Sequence, residues 1–209
     1  MRQAIIDVCR AMNASGLNQG TSGNVSVRDG EGMLITPSGV PYDDTTLDMI
    51  VPVAMDGTVD GRWKPSSEWR MHLDIYRARP EAQAVVHVHS PYATALSCHR
   101  RGIGAFHYMI AVAGGADIRC ADYATFGTQA LSDAMLTALD GRSACLLANH
   151  GQIAFGPTLD KALWLATEVE TLARQYILSR ALGDPTVLGA AQMDEVIAAF
   201  RTYGKQDGT

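Results

Sequence analysis

Cysteine is scarce and never paired at close range. The four residues, Cys9, Cys98, Cys120 and Cys145, contain no C-x-x-C unit, which excludes a cysteine zinc site and a thioredoxin-like motif. A chain of 209 residues builds a sizeable core without staples, so the thiols are expected to be reduced and mostly buried in a cytoplasmic protein. No apolar run approaches the roughly 20 residues that span a bilayer, and no membrane partner is expected. Met1-Arg2-Gln3-Ala4-Ile5-Ile6-Asp7 carries an acid early, so a secretory leader is not expected. Positive charge is not in excess either. The formal net charge of -5 provides no field for nucleic acid or an anionic surface. Repeats, low-complexity tracts and linkers are missing, which points to one domain over residues 1–209. What remains is 47% hydrophobic and 19% charged, too apolar for a disordered chain.

Ile5, Ile6, Cys9 and Met12 recur at helical spacing, and Gly16 supplies a stop. The small-residue loop Gly20-Thr21-Ser22-Gly23-Asn24 leads into a hairpin that turns at Asp29-Gly30. A second hairpin is expected around Ile50-Val51-Pro52-Val53-Ala54-Met55, turning at Asp56-Gly57. Pro65-Ser66-Ser67-Glu68 reads as the opening of a helix, with a serine cap and an early acid. That helix carries Trp69, His72, Leu73 and Tyr76 and ends before Pro80. A strand, a short helix from Pro91, a strand over 118–121 and a helix over 128–139 follow. Strands around Leu147 and Ile153 come next, then helices over 159–182 and 193–203. Early hairpins and later alternation predict a mixed, helix-covered α/β sheet.

The chemistry concentrates in Val85-Val86-His87-Val88-His89-Ser90. Side chains alternate along a strand, so His87 and His89 are expected on one face, close enough to share a divalent cation. Leu146-Leu147-Ala148-Asn149-His150-Gly151 supplies a third histidine from another apolar run. Three histidines leave a coordination position open, which suits a catalytic ion better than a structural one. A lone histidine is more often a hydrogen-bonded core residue; here the spacing favours metal. A cupin pattern needs a glutamate soon after the pair, and a metallo-β-lactamase pattern needs an aspartate and another histidine. Neither is present, and the chain is too rich in helices for a carbonic-anhydrase fold.

Glu68 is the fourth polar candidate, as an ion ligand at rest and a base when substrate displaces it; the plainer alternative is a helix-dipole partner. Thr21-Ser22-Gly23-Asn24, Pro37-Ser38-Gly39 and Ser66-Ser67 offer hydroxyls and open backbone amides for a phosphate, without any lysine. Such loops are also common as simple turns. His72, His99 and His107 lack comparable partners and are expected to be structural or exposed.

Gly16-Leu17-Asn18-Gln19-Gly20-Thr21-Ser22-Gly23-Asn24, Leu34-Ile35-Thr36-Pro37-Ser38-Gly39, Pro65-Ser66-Ser67-Glu68-Trp69-Arg70 and Ala84-Val85-Val86-His87-Val88-His89 occur in that order. Together they resemble the class II aldolase/adducin family, and within it the L-fuculose-1-phosphate aldolase branch. The likeness continues through His107-Tyr108-Met109-Ile110-Ala111, Tyr123-Ala124-Thr125-Phe126-Gly127-Thr128 and Lys161-Ala162-Leu163-Trp164-Leu165-Ala166. It reaches Phe200-Arg201-Thr202-Tyr203-Gly204.

The resemblance implies a single three-layer α/β domain with a mixed, mostly antiparallel central sheet covered by helices. It implies one zinc ion, or another divalent metal, per subunit on His87, His89 and His150. Glu68 then serves as resting ligand and proton-transferring base. Phosphate positions fall on Gly23, Asn24, Ser38, Gly39, Ser66 and Ser67. Tyr108 enters the site from a neighbouring subunit of a homotetramer, and Tyr203 closes over it. The implied reaction is reversible cleavage of a ketose 1-phosphate to dihydroxyacetone phosphate and an aldehyde. Ser90-Pro91-Tyr92 and Asn149 depart from the fuculose pattern, which keeps 5-deoxyribulose and 5-methylthioribulose 1-phosphates open as substrates. Methylthioribulose-1-phosphate dehydratase and pentulose-phosphate epimerase are the alternatives; the epimerases carry aspartate in place of Glu68. A non-enzymatic adducin-like head lacks the metal set.

Overall fold

A computed structural model describes residues 1–200. Helix α1 (Arg2–Ala14) buries Ile5, Ile6, Cys9 and Met12 on one stripe, and Gly16 leaves it at φ 75°, a conformation that costs glycine least. Strands β1 (Asn24–Asp29), β2 (Gly32–Ile35), β3 (Val51–Ala54), β4 (Ala84–Val88), β5 (Cys120–Ala121), β6 (Ala144–Leu147) and β7 (Gly151–Gly156) form one sheet. Its order is β3-β2-β1-β4-β7-β6-β5. Only the β5–β6 pair is parallel; the other neighbours are antiparallel.

Helices cover both faces. Helices α1, α3 (Pro91–Cys98), α5 (Leu159–Arg180) and α6 (Ala190–Phe200) lie on the face to which Ala84, Val86 and Val88 point. Helices α2 (Trp69–Ala78) and α4 (Gln129–Ala138) cover the other, with Val85 of β4 beneath them. The chain is therefore one three-layer α/β domain. β4 sits mid-sheet with every residue buried, as a strand covered on both faces must be. A polar side chain on β4 must accordingly find its partners inside the protein.

Several boundaries differ from the sequence expectation. Helix α2 begins at Trp69 rather than Pro65, and no serine side chain caps it. The segment before it is held extended: Pro65 bridges Pro37, and Ser66 N–H donates to Thr36 O at 2.9 Å. The second hairpin shrinks to a bridge between Val53 and Val59. Strand β3 instead pairs with β2 at the sheet edge, where Pro52 leaves no ladder donor missing. The strand expected over 118–121 is confined to Cys120–Ala121, because Ile118 bridges Ile103 instead. Cys9 and Cys145 are buried, but Cys120 is only half-buried and Cys98 is exposed. The end of the helix expected over 193–203 lies outside the described residues. Among the described residues, no helix is long and apolar enough to cross a membrane.

Candidate active site

The three histidines meet because of sheet register rather than a shared strand. His87 lies in β4, His89 one residue past its end, and His150 in the turn between β6 and β7. β4 pairs with β7 so that His87 faces Ile153 and Val88 faces Gln152. Continuing that register sets His89 opposite Gly151, next to His150. Gly151 allows the approach: a Cβ there would stand 2.5 Å from Val88 O and 3.1 Å from His89 Cδ2. The turn itself places Asn149 at φ 53°, and His150 N–H donates to Leu147 O at 3.0 Å.

The rings stand like three blades. Their centroids are 5.0, 4.8 and 4.8 Å apart, at interplanar angles of 72–75°. His87 Nδ1 donates to the Gln152 carbonyl at 2.8 Å; a carbonyl only accepts, so in the neutral ring Nε2 keeps its lone pair. That Nε2 faces His89 Nε2 at 3.1 Å and Glu68 Oε2 at 3.2 Å. Glu68 Oε1 lies 3.1 Å from His150 Nε2 yet accepts no hydrogen bond. One ligand atom from each of Glu68, His87, His89 and His150 lies within 4.8 Å of the others. Inward-facing lone pairs on buried groups repel unless a cation or proton lies between them. Three imidazole nitrogens and one carboxylate therefore fit a divalent metal, with a position that substrate can take.

The electrostatics agree. Burial opposes charge on Glu68, but the imidazoles of His87 and His150 outweigh it and hold the carboxyl below the usual carboxylate range. Burial also opposes charge on His87, and the Glu68 carboxylate outweighs it in the opposite sense, raising the imidazole. His89 is lowered to about 4 by burial, then by the neighbouring imidazoles.

Glu68, His89 and His150 of the cluster line a cavity of about 320 Å³, within the usual range for small-molecule sites. All six small-residue positions, Gly23, Asn24, Ser38, Gly39, Ser66 and Ser67, line it, and among the described residues no lysine or arginine does. Hydrogen bonds fix these loops: Ser38 N–H donates to Lys64 O at 3.0 Å, and Tyr42 Oη–H to Gly23 O at 2.9 Å. Gly23 is at φ 74°, and a Cβ there would stand 2.6 Å from His87 O, so the loop hugs β4. Tyr123, Phe126 and Asn149 also line the cavity. Glu68 does not act as a serine-capped helix acid; its carboxylate turns to the histidines and to Asn24 Nδ2, 3.0 Å away.

Tyr108 is not among the cavity's lining residues. It is half-exposed at the start of a 3-10 turn, stacked on His107 at 4.8 Å and parallel to Phe200 at 6.4 Å. Tyr203 lies outside the described residues. Sequence reasoning missed three buried polar groups. Asn18 bonds to the carbonyl of Ser22 and accepts from His89 N–H at 3.4 Å. Tyr42 anchors Gly23, and His72 contacts Asn24 Oδ1 at 2.5 Å. His72 follows Glu68 by four residues, one helical turn, which was the available signal.

Residues 3–177 match the model of the class II aldolase and adducin N-terminal domain. The chain belongs to that family. It is 52% identical over 204 residues, 98% of this chain and 92% of the relative, to a 5-methylthioribulose-1-phosphate/5-deoxyribulose-1-phosphate aldolase of Rhodospirillum rubrum. It is 51% identical over 205 residues, covering 98% and 95%, to an L-fuculose phosphate aldolase of Escherichia coli. Its fold matches a solved L-fuculose 1-phosphate aldolase with a TM-score of 0.93 at 41% identity, over 96% of this chain and 95% of the other. The family match extends from the first helix into α5 and so includes every residue of the His/Glu cluster.

Proposed function

We propose that this class II aldolase family member is a zinc-dependent, cytoplasmic lyase that reversibly cleaves a ketose 1-phosphate to dihydroxyacetone phosphate and an aldehyde. The carrying observation is that the His/Glu cluster and the small-residue loops share one cavity. His87, His89 and His150 would hold the zinc, which would supply Lewis-acid stabilisation of the enediolate charge left when the C3–C4 bond breaks and C3 shares its electron pair with the C2 oxygen. Gly23, Asn24, Ser38, Gly39, Ser66 and Ser67 hold the phosphate through amides and hydroxyls, which orients C3 toward Glu68. As the C3–C4 bond breaks, Tyr108 of the partner subunit takes the C4 hydroxyl proton and passes it to solvent, and Glu68, which takes up a proton from solvent once substrate has displaced it from the histidines, delivers that proton to C3. Tyr108 is exposed and does not line the cavity of its own chain, which supports a homotetramer with sites between subunits. Tyr203 is the residue proposed to close over the bound substrate.

The similarity to both aldolase types leaves the aldehyde as the quantity to measure. Steady-state kinetics on L-fuculose, 5-deoxyribulose and 5-methylthioribulose 1-phosphates, with product identification, test the reading. Dihydroxyacetone phosphate plus an aldehyde from at least one of them is expected. Water loss, or inversion at C4 without cleavage, overturns it in favour of a dehydratase or an epimerase.

A further inference from the structure

Behind Glu68 runs a row of polar side chains that metal binding does not use. Asn24 and Ser26, two apart on β1, share the sheet face under α2, where Glu68, His72 and Tyr76 recur every four residues. Four helical residues rise about 6 Å and two strand residues about 6.7 Å, so the two series keep step. Asn24 Nδ2 reaches Glu68 Oε2 at 3.0 Å, and His72 Nε2 reaches Asn24 Oδ1 at 2.5 Å. Ser26 Oγ lies 2.7 Å from His72 Nδ1 and 2.8 Å from Tyr76 Oη. Ser26 and His72 are fully buried, and Asn24 and Tyr76 nearly so.

The donors can be ordered by elimination. A carboxylate only accepts, so Asn24 turns its amide nitrogen to Glu68 and its oxygen to His72. His72 Nε2 must then carry hydrogen. Burial, with the neighbouring His87, lowers the His72 pKa to about 3, so the ring is neutral and Nδ1 accepts from Ser26. The Ser26 hydrogen is thereby committed, and Tyr76 donates to Ser26. Arg28 anchors the far end by donating to the Tyr76 carbonyl at 2.7 Å.

We infer that Tyr76, Ser26, His72 and Asn24 form a one-way hydrogen-bond relay, every donor pointing toward Glu68 Oε2, which positions Glu68 so that Oε1 is the oxygen that exchanges the substrate proton. The inference rests on Glu68 being the base proposed above. Oε2 is held by the Asn24 amide, whereas Oε1 has no such donor and only the ligand atom of His150, 3.1 Å away, beside it. His72 is thus a positioning residue.

Replacing His72→Leu is expected to lower kcat about 10- to 100-fold, with KM and zinc stoichiometry close to those of the unaltered protein. His72→Gln, which donates to Asn24 and accepts from Ser26, restores part of that loss. Tyr76→Phe, at the end of the row, loses less than His72→Leu. Nitrogen NMR of the isotope-labelled, metal-free protein at neutral pH is expected to show His72 as the Nε2–H tautomer. An Nδ1–H tautomer or an imidazolium overturns the relay, as does unaltered kcat in zinc-loaded His72→Leu. Should His72→Leu not fold, the tautomer and the turnover of Tyr76→Phe still decide. Absence of cleavage by the unaltered protein defeats the aldolase reading, while the tautomer independently tests the relay.

Discussion

The two halves of the cavity are built on different principles. The cluster of His87, His89, His150 and Glu68 stands on or next to the ends of β4, β7 and α2, over fully buried side chains such as His72. Much of the remaining lining is made of loops held by hydrogen bonds to the Thr36 and Lys64 carbonyls and from the Tyr42 hydroxyl. An ion needs several atoms held within a few tenths of an ångström, which packed elements provide. A phosphate that enters and leaves needs open amides, which only loops present to solvent. The same protein therefore places its charges on rigid structure and its neutral donors on the mouth.

That contrast can be broken experimentally, most severely at the metal. Chelator-treated protein is expected to lose aldol cleavage entirely and to regain it with zinc; full activity of metal-free protein, measured by aldehyde release, would falsify the metal half. Glu68→Gln is expected next in size. It keeps three histidine ligands, so zinc content by elemental analysis is retained, while kcat falls on the order of 10²- to 10⁴-fold with loss of the base. Retained turnover moves the base elsewhere.

The buried layer beneath the cluster yields a pH effect. His72 titrates near 3 when folded against an ordinary 6.5, so between those values the unfolded state binds the extra proton. Stability is full above pH 6.5 and declines as pH falls toward 3, by about 1.4 kcal/mol per unit for this one group. Urea unfolding of metal-free protein between pH 6.5 and 5 reads the slope, and His72→Leu is expected to flatten it; an equal slope in both assigns it to other groups. The loop rim carries the smallest effect. Ser66→Ala removes one hydroxyl from the proposed phosphate site and is expected to raise KM about tenfold, the scale of one hydrogen bond to a charged group. Steady-state assays check it, and a kcat loss at constant KM would place Ser66 with the chemistry rather than with binding.

Legibility followed the range of the interactions. α1, the β1–β2 hairpin, α3 from Pro91 and the long α5 were readable because caps, turns and apolar spacing act within a few residues. The start of α2 was not, because Pro65 and Ser66 are held extended by Thr36 and Pro37, a pairing across nearly thirty positions that no local pattern encodes. In the candidate site, the histidine pair was visible from spacing alone. His89 nevertheless lies outside the strand, and its closeness to His150 comes from the β4–β7 register. His72 looked idle because its partners, Asn24 and Ser26, sit on another element.

By itself the sequence determined which side chains are available: three histidines and a glutamate with metal-ligand chemistry, and hydroxyl- and glycine-rich loops without basic residues. It also determined the local elements, since propensity and periodicity act over one or two turns of chain. Only the tertiary structure decided that four ligand atoms converge, that one oxygen of Glu68 is held by Asn24 while the other accepts no hydrogen bond, and that Tyr108 does not line the cavity of its own chain. Those outcomes depend on strand register and on a helix keeping step with a neighbouring strand. Both are set by long-range packing of two buried layers, which a linear pattern does not specify.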